Sequence, residues 1–215
     1  MCDASTKCPA GADAVQTFGG YSTELASKGL MWYPVVAVPT VNALDFSYSP
    51  DIFSYWAIEL SSLSIGDEAQ VFASASADAT AGVPAAIFDH ASKGRGLPMD
   101  TKAYTRLVEI AGATLIPASS ALLQIPPNNG KQPFYEIDCA TTKSLPDISY
   151  TFTGSEKKWT VKPEAYVAKV AGTCILDVRV LSNGSFQLGN FGDTFLQGKY
   201  IVFDYDMLRV GLAEI

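Results

Sequence analysis

Short apolar runs of the kind that form β-strands are the dominant pattern along this chain. Trp32-Tyr33-Pro34-Val35-Val36 is the first such run. Tyr55 to Leu60 follows, then Leu63-Ser64-Ile65-Gly66-Asp67-Glu68, whose Gly-Asp pair signals a hairpin turn. Ala85 to Asp89 is an apolar run that ends in a carboxylate. Strands are also predicted at Phe134–Ile137, Ile148–Phe152, Trp159–Val161, Cys174–Val180, Tyr200–Phe203 and Arg209–Ala213. Helical spacing is rare. Asp100 to Ala113 carries it, with Asp100 as the cap, Ala103, Leu107 and Ile110 on one apolar face, and Gly112 near the end. Pro163-Glu164-Ala165-Tyr166 predicts a single helical turn. No repeat of solenoid length is present, and no linker divides the chain, although the Ala- and Ser-rich stretch Phe72–Gly82 reads as an exposed loop. The pattern predicts a mostly β, mostly antiparallel fold with one or two short helices.

Composition narrows the function classes. A length of 215 residues is enough for one substantial domain and marginal for two. With 48% of residues apolar and 17% charged, the chain suits a packed core and argues against disorder. A net charge of −7 argues against nucleic acid as a partner, because phosphate binding needs a basic face. Lys157-Lys158, the one adjacent basic pair, is expected at a turn after Gly154. The most apolar stretch, Leu30–Leu44, is too short for a membrane span and is interrupted by Pro34 and Pro39. Met1 to Cys8 contains no apolar segment of the signal-peptide kind.

Four cysteines, Cys2, Cys8, Cys139 and Cys174, permit two disulfides in three connectivities, or free thiols. Cys2 and Cys8 are close enough to close a small loop. The spacing is not that of a zinc site and there is one histidine, so neither a metal nor a cofactor is expected. Asn183-Gly184-Ser185 is an N-glycosylation sequon, which fits an oxidising secretory route.

Several segments resemble, in order, the C-terminal lobe of pepsin-like aspartic proteases. Phe18-Gly19-Gly20 is similar to the family's "FGG", Trp32-Tyr33-Pro34-Val35 to its "W-x-P-V", and Tyr55-Trp56-Ala57-Ile58 to its "YW-x-I". Leu63 to Gly66 resembles the strand and turn that follow. Ala86-Ile87-Phe88-Asp89 resembles the "A-I-x-D" that delivers the catalytic aspartate. Leu145-Pro146-Asp147-Ile148 resembles "LPDI", and Pro163-Glu164-Ala165-Tyr166 resembles "P-x-x-Y". Gly192 to Leu196, Val202-Phe203-Asp204 and Val210 to Ala213 are similar to the ending "GD-x-FL … VFD … VGLA". The resemblance runs from about residue 15 to the last residue. It implies one lobe over residues 1–215, with 1–14 a disulfide-closed or irregular segment. It also implies a Cys139–Cys174 disulfide, a peptide or protein substrate, and a secreted or vacuolar/lysosomal location.

The family's chemistry uses two carboxylates about 3 Å apart that share one proton. One acts as base on a bound water while the protonated partner polarises the scissile carbonyl. The resemblance assigns Asp89 to one of these positions, and the second carboxylate has to come from a complementary N-terminal lobe or a second copy. Where the family reads Asp-Thr-Gly-Thr-Ser, this chain reads Asp89-His90-Ala91-Ser92-Lys93. His90 cannot reproduce the threonine's hydroxyl contact in the same space. Ala91 adds a Cβ that is costly if φ is positive. Ser92 keeps a small hydroxyl for substrate binding. Lys93 and Arg95 would favour the ionised form of Asp89. The family's apolar-apolar-Gly strand, which passes the catalytic turn, corresponds to Asn190-Phe191-Gly192, with Leu188-Gly189 as a competing register. The expectation is a lobe inactive or impaired on its own, or a pseudoprotease that binds peptide or protein without cleaving it.

Simpler readings stand beside these. Asp89 alone would be a strand-end carboxylate capping a turn. Neighbouring strand residues point to opposite faces, which argues against an Asp89–His90 pair. Lys93-Gly94-Arg95-Gly96 reads as a solvated turn before it reads as an anion site. Trp32, Tyr33, Tyr55 and Trp56 read as core and sheet packing rather than a ligand box.

Overall fold

The computed structural model describes residues 17–36, 55–71, 84–89, 96–117, 120, 133–180 and 188–215. In chain order the strands are β1 (Met31–Pro34), β2 (Ala57–Ile65), β3 (Glu68–Val71), β4 (Ala85–Phe88), β5 (Leu97–Met99), β6 (Thr114–Leu115) and β7 (Tyr135–Ile137). They continue with β8 (Ile148–Phe152), β9 (Lys158–Val161), β10 (Val167–Val170), β11 (Thr173–Leu176), β12 (Val178–Val180), β13 (Leu188–Phe191), β14 (Lys199–Asp204) and β15 (Arg209–Glu214). The helices are α1 (Thr101–Ile110), α2 (Pro163–Tyr166) and α3 (Asp193–Leu196), with a 3₁₀ segment over Cys139–Ser144. The mostly β fold read from the sequence is therefore found. The chain divides into two compact units, Met1–Pro34 with Gly198–Ile215, and Val35–Gln197.

In the first unit, β15 is paired on both sides, with β1 and with β14, all antiparallel. Trp32 lies across from Gly211, and a Cβ on Gly211 would stand 2.9 Å from the indole ring. The glycine of Val210-Gly211-Leu212 is thus required by the ring pressed on its backbone. Arg209 stacks on the other strand's Trp32 at 4.1 Å from the ring centroid, while its Nε donates to Asp204 Oδ2 at 2.7 Å.

In the second unit, β13, β4, β2, β8 and β9 form one sheet in that order, with β3 added to β2. Its inner face carries Phe88, Tyr150, Phe152 and Phe191, which pack with Phe195 of α3, all five buried. Phe191 and Phe195 stack with centroids 3.8 Å apart, and Tyr150 meets Phe191 edge-on at 4.9 Å. Each ring removed from water contributes about 1.5–3 kcal/mol, so this cluster dominates the sheet's attachment to α3. The phenol of Tyr150 donates to the Pro98 carbonyl at 2.8 Å, and burial holds it well above the usual phenol range.

Several elements differ from the sequence reading. The runs that begin at Tyr55 and at Leu63 share one strand, β2, with a register shift against β8 between Leu60 and Ser62, and the predicted hairpin turn at Gly66-Asp67 leads from it into β3. Ser61 is the extra residue, and its hydroxyl donates to the Thr151 carbonyl at 3.0 Å, so the two serines mark a bulge and not a break. The run Cys174–Val180 is two strands, divided at Asp177. Helix α1 is capped as predicted, with Asp100 Oδ1 accepting from the Ala103 N–H at 2.7 Å. Ile110, however, is 37% exposed, and Tyr104 takes its place beside Ala103 and Leu107 on the buried face. Tyr33 is core, whereas Tyr55 is 45% exposed and does not pack as expected. Two pairings, β5–β12 and β4–β13, are parallel. The predicted loop at Phe72–Gly82 lies outside the described residues.

Candidate active site

Asp89 follows the last residue of β4, with β2 on one side and β13 on the other. The Phe88 N–H donates to the Trp56 carbonyl at 2.9 Å, and the Asp89 N–H donates to the Phe191 carbonyl at 3.0 Å. The backbone at Asp89 is thus tied from both sides. Because β4 and β13 pair in parallel with Phe191 beside Phe88, both phenylalanines face the core together. Side chains alternate along a strand, so Asn190 and Asp89 share the opposite face. There the Asn190 amide Nδ2 donates to Asp89 Oδ2 at 3.2 Å. Of the two registers open in the sequence, Asn190-Phe191-Gly192 is the segment that passes Asp89, with Leu188 beside Ala85.

A second polar cluster lies where β11 gives way to β12. Asp177 is buried, and its Oδ2 accepts from the Thr194 hydroxyl at 2.7 Å. Arg179 Nη2 approaches Asp177 Oδ1 at 3.6 Å, and the guanidinium lies 4.1 Å from the Phe134 ring centroid. Burial pulls the Arg179 pKa down, with Asp177 and Tyr104 opposing that pull. The Asp177 N–H donates to the Tyr166 carbonyl and its own carbonyl accepts from Leu97. Gly96, at φ +61°, fits against that carbonyl, and a Cβ there would stand 2.5 Å from the Asp177 oxygen. Asp177 therefore anchors β5, the next described strand after Asp89, and Thr194 links it to α3, which follows β13.

The other residues singled out by sequence fall as follows. Cys139 and Cys174 form a disulfide with Cα atoms 5.3 Å apart. The "LPDI" and "P-x-x-Y" segments meet, with the Tyr166 hydroxyl donating to the Pro146 carbonyl at 2.6 Å and Lys162 pairing with Asp147. His90, Ala91, Ser92, Lys93, Arg95, Asn183, Cys2 and Cys8 lie outside the described residues. Among the described residues, no group of three or more His, Cys, Asp or Glu could hold a metal ion, and no helix is long and apolar enough to cross a membrane. Sequence reasoning read Asn190 only as part of the passing strand and Thr194 only as part of the closing motif, and it passed over Asp177. A polar residue breaking an apolar run was the signal for two of them: Asn190 within Leu188–Gly192, and Asp177 within Cys174–Val180.

The family model for eukaryotic aspartyl proteases matches residues 6–215. The chain is 42% identical over 207 residues to an aspartic protease-like protein of Aspergillus niger, covering 95% of this chain and 49% of that protein. It is 38% identical over 211 residues to a probable secreted aspartic protease of Arthroderma benhamiae, covering 95% of this chain and 48% of the relative. A vacuolar aspartic protease of Candida albicans is 27% identical over 209 residues, covering 92% of this chain and 38% of the relative. The chain thus spans about half the length of the first two. With nearly all of its residues matched and a strand-end aspartate held as described, the chain belongs to the eukaryotic aspartyl protease family.

Proposed function

We propose that residues 1–215 form one pepsin-like C-terminal lobe of an aspartic-type endopeptidase, in which Asp89 is one of two carboxylates that activate a water for peptide-bond hydrolysis. The observation that carries this reading is the setting of Asp89, a half-buried carboxylate at a strand end, tied through its backbone to the Phe191 carbonyl and through its side chain to Asn190. A lone carboxylate has no partner to hold the second proton, so the isolated chain is inactive or impaired. The second carboxylate comes from a complementary N-terminal lobe or a second copy. Exposed apolar residues of the first unit, among them Phe18 at 77%, Tyr205 at 79% and Met207, support such a partner. The substrate is a peptide or an unfolded protein, with Ser92 contributing to its binding. The Cys139–Cys174 disulfide and the names of the relatives support a secreted or vacuolar location, with Cys2–Cys8 as a further disulfide and Asn183 as a glycosylation site.

The test is hydrolysis of an unfolded protein at acid pH, with solution mass measured in parallel. Expected is no cleavage by the monomer, and cleavage abolished by Asp89→Asn wherever a dimer or an added N-terminal lobe restores it. Cleavage that survives Asp89→Asn would remove Asp89 from the chemistry. A second reading, a pseudoprotease that binds peptide without turnover, is favoured by the sequence Asp89-His90-Ala91 in place of Asp-Thr-Gly. It predicts saturable peptide binding that is unchanged in Asp89→Asn, and no cleavage in any assembly.

A further inference from the structure

We propose that Asn190 is a positioning residue for Asp89: from the neighbouring parallel strand, its side-chain amide holds one carboxylate oxygen and biases that carboxylate toward the ionised form. The inference rests on the reading of Asp89 as the chemistry-bearing group, and it assigns that group a state. Asn190 Nδ2 is a donor only, and it meets Asp89 Oδ2 at 3.2 Å. A donor stabilises a carboxylate and opposes protonation of the oxygen it holds. A protonated carboxyl at that oxygen would instead need the amide turned over, presenting its carbonyl. The two protonation states thus require opposite orientations of one side chain, which the strand pairing has placed on the same face as Asp89. In a pair that shares one proton, the proton is directed to the partner carboxylate, and Asp89 is left as the base toward water.

The charged side chains carried by β2, β13 and α3 are acidic. On β2 the nearest charged side chain is Glu59, opposite Ala85 at the far end of the β2–β4 pairing. Beyond β13 it is Asp193, exposed in α3. Both are anionic and would raise the carboxylate's proton affinity. His90, Lys93 and Arg95 follow Asp89 in the chain, outside the described residues.

The test is the titration of the Asp89 side-chain carboxyl by carbon NMR in the full 215-residue chain, with Asp89→Asn identifying the resonance. Losing a hydrogen bond to a charged group shifts a titration by roughly one pH unit. Asn190→Leu is therefore expected to move the midpoint up by about that much. Asn190→Asp, which sets a second carboxylate beside the first, is expected to move it further and to split it into coupled steps. A purely structural role for Asn190 would lower the unfolding midpoint and leave the titration where it is. If Asn190→Leu does not fold, the unsubstituted protein still decides: the Asn190 side-chain amide resonances should shift with the Asp89 midpoint. Midpoints unmoved in folded variants, or amide resonances indifferent to that midpoint, would overturn the proposal. No substrate is involved, so absence of cleavage leaves this inference standing, and an unmoved titration leaves the protease reading standing.

Discussion

Lys199 shows how a single side chain can work against the fold that carries it. It opens β14 opposite Glu214 of β15, and burial pushes its pKa down to about 8, only partly opposed by that glutamate. The unfolded chain holds the same proton until about pH 10.4. Between these values the unfolded state binds more protons, so stability rises with pH across this window. Below about pH 8 the full cost of a poorly solvated ammonium is present. Replacing Lys199 by Met removes that cost and leaves Glu214 exposed to water, not buried without a partner. Lys199→Met is expected to stabilise the protein by about 1–2 kcal/mol at pH 7, with the advantage fading toward pH 10. Urea unfolding of both proteins at pH 7 and pH 9.5 checks this, and equal stability at pH 7 would refute it. Nothing in the sequence around Lys199 announces this, because a lysine beside a tyrosine reads as a solvated strand end until its neighbours are in place.

At the scale of elements, the β5–β12 pairing depends on a close approach that only glycine permits. Gly96→Ala combines a positive φ with a Cβ driven into the Asp177 carbonyl, and is expected to cost more than about 2 kcal/mol. Thr194→Val removes the donor from a buried carboxylate and is expected to cost about 1–3 kcal/mol. Thermal melts of the two variants measure both, and a Gly96→Ala protein as stable as the parent would contradict the packing described. These contacts also mark how far the sequence could be read. Strands such as β8, with Ile148, Tyr150 and Phe152 buried and Ser149 and Thr151 between them, were legible because one face is core and the other is not. The cap at Asp100 was legible because its partner is three residues away. Helix α3 and strand β5 were not, since each is short and exists through partners from distant parts of the chain. The same holds at the site. The strand end at Asp89 could be read from its local apolar run, whereas its bond to Asn190 depends on a parallel register that no local pattern encodes.

For the whole molecule, the disulfide is the strongest single constraint on the unfolded chain among the described residues. Cys139 and Cys174 are 35 residues apart, a loop whose closure stabilises by about 3–4 kcal/mol in the chain-entropy account. The paired substitution Cys139→Ser with Cys174→Ser is expected to lower stability by that amount in urea unfolding, and the parent should fall to the same midpoint when reductant is added. A parent insensitive to reductant would show that the bond contributes little. The β4–β13 pairing has a consequence of another kind. Asp89 and Asn190 are separated by 101 residues. A ribosome adding roughly 5–20 residues per second needs on the order of ten seconds to travel from one to the other. Throughout that interval the growing chain carries Asp89 without β13 beside it, as an ordinary solvated acid. The bonds that hold it, to the Phe191 carbonyl and the Asn190 amide, form only once β13 has been made and has paired with β4, so the setting of Asp89 is assembled after translation has passed it by a long stretch of chain.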